Sequence, residues 1–260
     1  MADGTASSLE QVRPRLFGGV PETLISRLDF PRADPAALSF LRGLPDTTCL
    51  VADALDALGI GSVVPASALP PLAPGQAVCG QAVTLRCEPY GGVPATHRAL
   101  GSPVLAGDRD LYGLAAPGDI AVITAEGDLT TAVLGDLSAG FAAAAGVAGI
   151  VVDGAVRDVD TLRGGAVPVW ARGATPMAGR YRWRAAEING AVGLAGARVE
   201  PGDLVVADGN GLCVVPRESV DEVVAECRRL VTAEAAMADA LARADTLEGL
   251  VARVRGGAVL

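Results

Sequence analysis

The stretch Gly146-Val147-Ala148-Gly149-Ile150-Val151-Val152-Asp153-Gly154-Ala155-Val156-Arg157-Asp158 decides how the rest of the chain is read. Ala148 to Val152 is an unbroken apolar run of strand length, and such a run predicts a strand buried on both faces. A second run, Ile120 to Thr124, follows the turn phrase Ala116-Pro117-Gly118-Asp119. Between the two lie a polar loop, Ala125 to Thr130, and a small-residue helix from about Asp136 to Ala145, stopped by Gly146. A strand–helix–strand unit of this kind predicts two parallel strands.

The loops at the carboxyl ends of parallel strands share one sheet edge, and open α/β sheets bind ligands there. Two polar groups fall at that edge: Gly135-Asp136-Leu137-Ser138 at the start of the helix, and Asp153 to Asp158 after the second strand. Twenty residues separate Asp136 from Arg157, yet this topology can bring them together. The first group offers unpaired backbone N–H donors and the positive end of a helix dipole, which suits a carboxylate. The second offers a planar, permanently charged guanidinium beside an acid. A 2-oxo acid needs both parts, because its carboxylate needs donors and its keto oxygen needs a cation that can hold enolate charge. Asp158 can hold a divalent metal directly, and Asp136 can orient the waters of its shell. A plainer reading stands beside this one: Asp136 is an N-cap, and Arg157 and Asp158 form surface ion pairs worth about 0–1 kcal/mol.

Composition narrows the chemistry. The chain has 260 residues, half of them hydrophobic and only 3% aromatic, so its core is built from Ala, Val, Leu and Ile. All 21 basic residues are arginine, which excludes Schiff-base catalysis through a lysine. The one histidine, His97, excludes a histidine-rich metal site and reads as a surface residue; no GxSxG elbow is present. Oxygen ligands favour magnesium or manganese. A net charge of −9 with no basic run argues against nucleic acid. Five cysteines without a CxxC argue against disulfides and structural zinc, and point to a reducing compartment. With no signal-like segment in Met1 to Pro14 and no apolar run of membrane length, the expectation is a cytoplasmic protein with no membrane partner. Gly59-Ile60-Gly61 lacks the third glycine of a dinucleotide loop. Trp170, Trp183 and Tyr181 read as packing or interface residues.

Farther out, residues 1–20 read as weakly ordered, and Pro21 to Leu28 and Asp34 to Leu41 as short helices. Thr47 and Thr48 read as caps of a helix through Val51, Leu55 and Leu58, ending near Gly59. Val63 to Pro74 is proline-rich and reads as a loop, Ala77 to Leu85 as β structure. Glu88 to Leu114 reads as irregular with a helix near Thr96 to Leu100. Val167 to Ala171 is a further strand. Pro201-Gly202-Asp203 opens the strand Leu204 to Ala207, and Asp208-Gly209-Asn210-Gly211 turns a hairpin into Leu212 to Val215. Glu218 to about Leu250 reads as one long or broken helix with Val220, Val223, Val224, Cys227, Leu230 and Val231 on one side.

The set Gly135-Asp136-Leu137 followed by Gly146 to Asp158 resembles the 4-hydroxy-4-methyl-2-oxoglutarate aldolase family, which includes the regulator of ribonuclease activity A. Supporting phrases are Ala52 to Asp56, Gly80 to Thr84, Pro117 to Asp119, Pro168 to Gly173 and Pro201 to Asp208. The resemblance runs from about Thr47 to Leu250. It implies an α/β, three-layer β/β/α swivelling fold of the phosphohistidine-domain type, with a central mixed sheet or barrel and flanking helices. It divides the chain into an N-terminal, partly helical extension (1–46), an aldolase-like domain (47–250) and a tail (251–260). It implies a homotrimer or homohexamer with sites between subunits. Asp158 would be the direct ligand of Mg2+ or Mn2+, and Asp136 would hold metal-bound water. Arg157 would bind the keto oxygen, and the N–H groups of Leu137 and Ser138 the substrate carboxylate. Glu234 would hold metal water from a neighbouring subunit. The activity implied is retro-aldol cleavage or oxaloacetate decarboxylation through a pyruvate enolate. The alternative is a non-catalytic, protein-binding regulator like the ribonuclease-regulating relatives. A methyltransferase, a label attached to some relatives, lacks an adequate glycine-rich cofactor loop here. Two departures are the longer region before Thr47 and the expanded Glu88 to Leu114 segment.

Overall fold

The computed structural model describes residues 9–255. The outermost parts of the expected extension and tail, residues 1–8 and 256–260, lie outside the described residues. In chain order the elements are α1 (Leu9–Val12), α2 (Pro35–Arg42), α3 (Thr47–Leu58), β1 (Ser62–Pro65), β2 (Val78–Pro89), α4 (Pro94–Ala99), α5 (Asp108–Leu114), β3 (Ile120–Thr124), β4 (Ala132–Leu134), α6 (Asp136–Ala144), β5 (Gly149–Val156), α7 (Val159–Arg163), β6 (Val169–Ala174), β7 (Trp183–Ile188), β8 (Val192–Leu194), β9 (Ala197–Val199), β10 (Leu204–Asp208), β11 (Gly211–Val215), α8 (Val220–Ala242) and α9 (Leu247–Arg255).

The fold is mixed α/β, with a large mixed sheet flanked by helices. The sheet runs β1-β11-β10-β2-β3-β5-β4, with β6 on β5 and β7 on β2. β3 and β5 are parallel, Ile120 against Gly149 through Thr124 against Asp153, as the strand–helix–strand pattern requires. The twelve residues of β2 join the halves: Val78 to Gln81 pair antiparallel with β10, and Ala82 to Arg86 pair parallel with β3.

Period-2 alternation sorts the side chains into layers. Ile120 and Val122 of β3, Val151 of β5, Val205 and Ala207 of β10, and Leu212 and Val214 of β11 line one shared core. The β8–β9 hairpin covers it, packing over β2, β3 and β5 at one end and β1 and β11 at the other. The opposite face divides between two helical layers. Ala121, Ile123, Ile150 and Val152 meet α5, α6 and α7. Leu204, Val206, Cys213 and Val215 meet α2, α3 and α8.

Several expectations from sequence are revised. Thr47 and Thr48 do not cap α3: the Thr47 hydroxyl donates to the Leu41 and Leu44 carbonyls, and Thr48 donates to Asp208 across the fold. Pro21 to Leu28 contains only the single 3-10 turn Glu22–Leu24. The proline-rich segment begins with β1, which pairs antiparallel with β11. The segment from Glu88 to Leu114 finishes β2 and then forms α4 and α5. The C-terminal segment, expected as one long or broken helix, is the broken form, interrupted between Ala242 and Leu247. From Arg13 to Val20 the chain is tied to α5, where the Asp110 carboxylate accepts four successive N–H groups, Phe17 to Val20, at 2.6–3.1 Å. No described helix is long and apolar enough to cross a membrane.

Candidate active site

The short strand β4 assembles the site. It pairs parallel with the end of β5, Ala132 against Ala155 and Leu134 against Val156, and the Arg157 N–H donates to the Leu134 carbonyl at 2.9 Å. Gly135-Asp136 and Arg157-Asp158 therefore leave neighbouring strands side by side. The Asp136 N–H donates to Asp158 Oδ2 at 3.2 Å, and Arg157 Nε lies 3.3 Å from the same oxygen. β4 was not visible in the sequence, because three apolar residues after a polar loop carry no period of their own.

Backbone geometry at both corners is specialised. Asp158 has φ +58°, a left-handed conformation that is uncommon outside glycine and clusters at functional sites. Gly135, at the N-cap of α6, is closely packed: a Cβ there would sit 2.7 Å from Asp158 Oδ2 and 3.0 Å from Arg157 Nε. Only glycine leaves those two side chains where they are.

The plainer reading of Asp136 is corrected, since Gly135 is the N-cap and Asp136 the first helical residue. The Asp136 carboxylate still occupies a helix-end donor, because Oδ1 accepts the Leu137 N–H at 2.8 Å. That donor, expected for a substrate carboxylate, is held in this structure by the Asp136 side chain.

Gly135, Asp136, Leu137, Ser138 and Arg157 line a cleft of about 480 Å³ with Trp183 in its wall, and Asp158 stands behind Asp136 and Arg157, outside the lining. The cleft also takes in a set that sequence reading missed. Asp108, at the start of α5, accepts from Ser138 Oγ at 2.6 Å, and the Tyr112 hydroxyl lies 3.0 Å from Ser138 Oγ. Burial, with the Asp108 charge nearby, pushes the Tyr112 hydroxyl well above the usual tyrosine range. Cys87 also lines the cleft, and burial pushes its thiol up to about 12. The signal was present in Gly107-Asp108, a turn glycine before an acid, but the helix after it is too short to show periodicity. Phe17 and Gly19, from the segment pinned by Asp110, complete the wall.

The other candidates lie elsewhere. Glu234 is exposed on α8, whose apolar side packs into the α2–α3–α8 layer, and it does not line the cleft of its own chain. His97 bonds the Gly91 carbonyl at 2.7 Å and stacks on Tyr181, outside the cleft lining. Trp170 is buried, with its indole N–H on the Asp208 carbonyl. Among the described residues no three His, Cys, Asp or Glu side chains cluster as a metal cage. The donor set at β5 is instead one carboxylate, Asp158, with a second, Asp136, beside it.

Comparison with known proteins follows the same lines. The family model described as Aldolase/RraA matches residues 48–214. A protein of Halalkalibacterium halodurans named "putative 4-hydroxy-4-methyl-2-oxoglutarate aldolase" is 37% identical over 115 residues, 44% of this chain and 54% of that one. Protein DlpA of Legionella pneumophila is 30% identical over 200 residues, 76% of this chain and 31% of that one. The chain thus spans only part of the length of these curated relatives. Among solved structures, Streptomyces coelicolor RraAS2, described as an unusual member of the RNase ES inhibitor RraA protein family, superposes with a TM-score of 0.65 at 30% identity. That match covers 79% of this chain and 97% of the other. An uncharacterized protein from Pseudomonas syringae superposes with a TM-score of 0.69 at 27% identity, covering 85% and 99%.

Proposed function

Because the chain belongs to the Aldolase/RraA family, we propose that it is a divalent-metal-dependent lyase that cleaves a short 2-oxo acid to a pyruvate enolate. One observation carries the reading: the start of α6 and Arg157 line one cleft, and the Asp158 carboxylate touches both, accepting the Asp136 N–H and lying 3.3 Å from Arg157 Nε, with Gly135 bare beside them. The substrates that fit are a 4-hydroxy-4-methyl-2-oxoglutarate-type aldol and oxaloacetate, since both cleave to the same enolate.

The residues present fit a hard cation. Asp158 offers a carboxylate about a third exposed, with Oδ2 engaged by Asp136 N–H and Arg157. Asp136 supplies a second carboxylate for water. One protein carboxylate completed by waters is a normal way to hold Mg2+ or Mn2+. Such an ion, when bound, supplies Lewis-acid stabilisation of developing enolate charge. Arg157 directs its guanidinium at the keto oxygen and shares that charge. The start of α6 receives the substrate carboxylate, with Asp136 releasing the Leu137 N–H and the Ser138 N–H adding a second donor. Glu234 of a neighbouring subunit, in a homotrimer or homohexamer, is the further acid proposed to hold metal water.

The test is pyruvate release from both substrates with magnesium or with EDTA. Wild-type release abolished by EDTA, and reduced about 10²–10³-fold in Arg157→Ala, is the expected result. Full activity in Arg157→Ala overturns the mechanism. A second reading is favoured by the likeness to the RNase ES inhibitor family: a regulator that binds a protein partner. Stable capture of a ribonuclease with no turnover of either substrate would establish that reading instead.

A further inference from the structure

We propose that Asp108 is the proton carrier of the aldol reaction, with Ser138 and Tyr112 as the residues that position its carboxylate. The assignment rests on the lyase reading above. Retro-aldol cleavage needs a base for the C4 hydroxyl and an acid for C3 of the enolate. The chain has no lysine, and its one histidine is outside the cleft lining. The Cys87 thiol and the Tyr112 hydroxyl are both held protonated by burial. Among side chains carboxylates remain, and three line the cleft: Asp108, Asp110 and Asp136.

Their partners distinguish them. Asp110 is saturated by four backbone N–H groups. Asp136 accepts the Leu137 N–H and stands beside Asp158. Asp108 has one side-chain partner among the described residues, the Ser138 hydroxyl, and no arginine pairs with it there. At 2.6 Å that bond is a short, well-formed one in which the hydroxyl donates to the carboxylate. With Ser138 donating to Asp108, the Tyr112 hydroxyl is the donor to Ser138. The chain Tyr112 to Ser138 to Asp108 therefore has one direction, is anchored in the α5–α6 layer and ends on a carboxylate with an oxygen to spare. Other charged groups lining this cleft are Arg109, Arg157 and Arg180.

The step balances within the substrate and Asp108. The carboxylate takes the C4 hydroxyl proton, a carbonyl forms at C4, and the C3–C4 bond breaks. Its electron pair becomes the enolate facing Arg157. The protonated Asp108 then gives the proton to C3, and pyruvate is complete. Decarboxylation of oxaloacetate breaks its C3–C4 bond with loss of carbon dioxide, has no hydroxyl proton to remove, and in the first turnover releases its carbon dioxide before C3 is protonated.

This difference supplies the test on the full chain with magnesium. Asp108→Asn is expected to slow cleavage of 4-hydroxy-4-methyl-2-oxoglutarate by about 100-fold or more, and carbon dioxide release from oxaloacetate by no more than about tenfold. Asp108→Glu is expected to recover part of the aldol rate. Ser138→Ala keeps the backbone donor and is expected to show the same split, with an aldol loss of about tenfold; it serves if Asp108→Asn does not fold. Equal losses on the two substrates, in whichever variant folds, overturn the assignment and leave the lyase reading standing. Wild-type protein that decarboxylates oxaloacetate but never cleaves the aldol also overturns the assignment alone. Wild-type protein that turns over neither substrate overturns the lyase reading and this assignment with it.

Discussion

Helices α3 and α6 each begin against an aspartate from the end of a strand, and the two junctions use that carboxylate differently. At α3, Asp208 is buried and accepts the Thr48 N–H at 3.1 Å, the Thr48 hydroxyl at 2.6 Å and the Asn210 N–H at 2.8 Å. At α6, Asp158 receives one helix N–H at 3.2 Å and shares Oδ2 with Arg157 at 3.3 Å, with its side chain a third exposed. The first carboxylate has spent its capacity on the fold. The second keeps capacity for a ligand and sits on a left-handed backbone that costs of order 1–3 kcal/mol. A saturated aspartate holds the helix to the sheet, whereas the open one beside an arginine is the one proposed for the site.

This contrast can be broken by substitution. Asp158→Ala is expected to have the largest effect, a loss of about 10²–10³-fold in kcat on either substrate, the range seen for removal of a key charge-stabilising group. Its midpoint in chemical denaturation should stay close to wild type, and a shift as large as that of Asp208→Ala would erase the distinction. Asp208→Ala is expected to cost about 1–3 kcal/mol, because it leaves buried donors unpaired. In a chain of this size that is several degrees of melting temperature, read by calorimetry, with kcat retained in the folded fraction. Gly135→Ala comes last, at about tenfold in activity and little in stability. The added methyl meets side-chain rather than backbone atoms, Asp158 Oδ2 and Arg157 Nε, and displaces them without opening the core. Unchanged kinetics in Gly135→Ala would mean that those two side chains work equally well from displaced positions.

Much of the molecule is legible in its residues, and the legible parts share a cause. Ile120 to Ile123 and Ile150 to Val152 are apolar throughout because both faces are covered, by the shared core on one side and by α5–α7 on the other. The hairpin at Asp208-Gly209-Asn210-Gly211 is legible because turn chemistry is local. The elements that escape reading depend on partners far away in sequence. β4 is a strand only because β5 lies beside it. Thr47 and Thr48 look like caps, yet their hydroxyls serve Leu41, Leu44 and Asp208. Asp108 lies in a segment without period, and its relation to Ser138, thirty residues on, appears only when α5 and α6 pack together.

The sequence by itself determined the family, the parallel β3–β5 unit, the exclusion of lysine and histidine-cluster chemistry, and the candidacy of Asp136, Arg157 and Asp158. These follow from composition and from periods that burial imposes on neighbouring residues. Tertiary structure alone decided that β4 sets Gly135 against Arg157, that Leu137's donor is held by Asp136, and that Asp108 and the N-terminal segment at Phe17 share the cleft. The physical reason is reach: hydrogen bonds and side-chain contacts act over a few ångströms in space, and the chain brings Phe17 to Asp110 across 93 residues and Thr48 to Asp208 across 160.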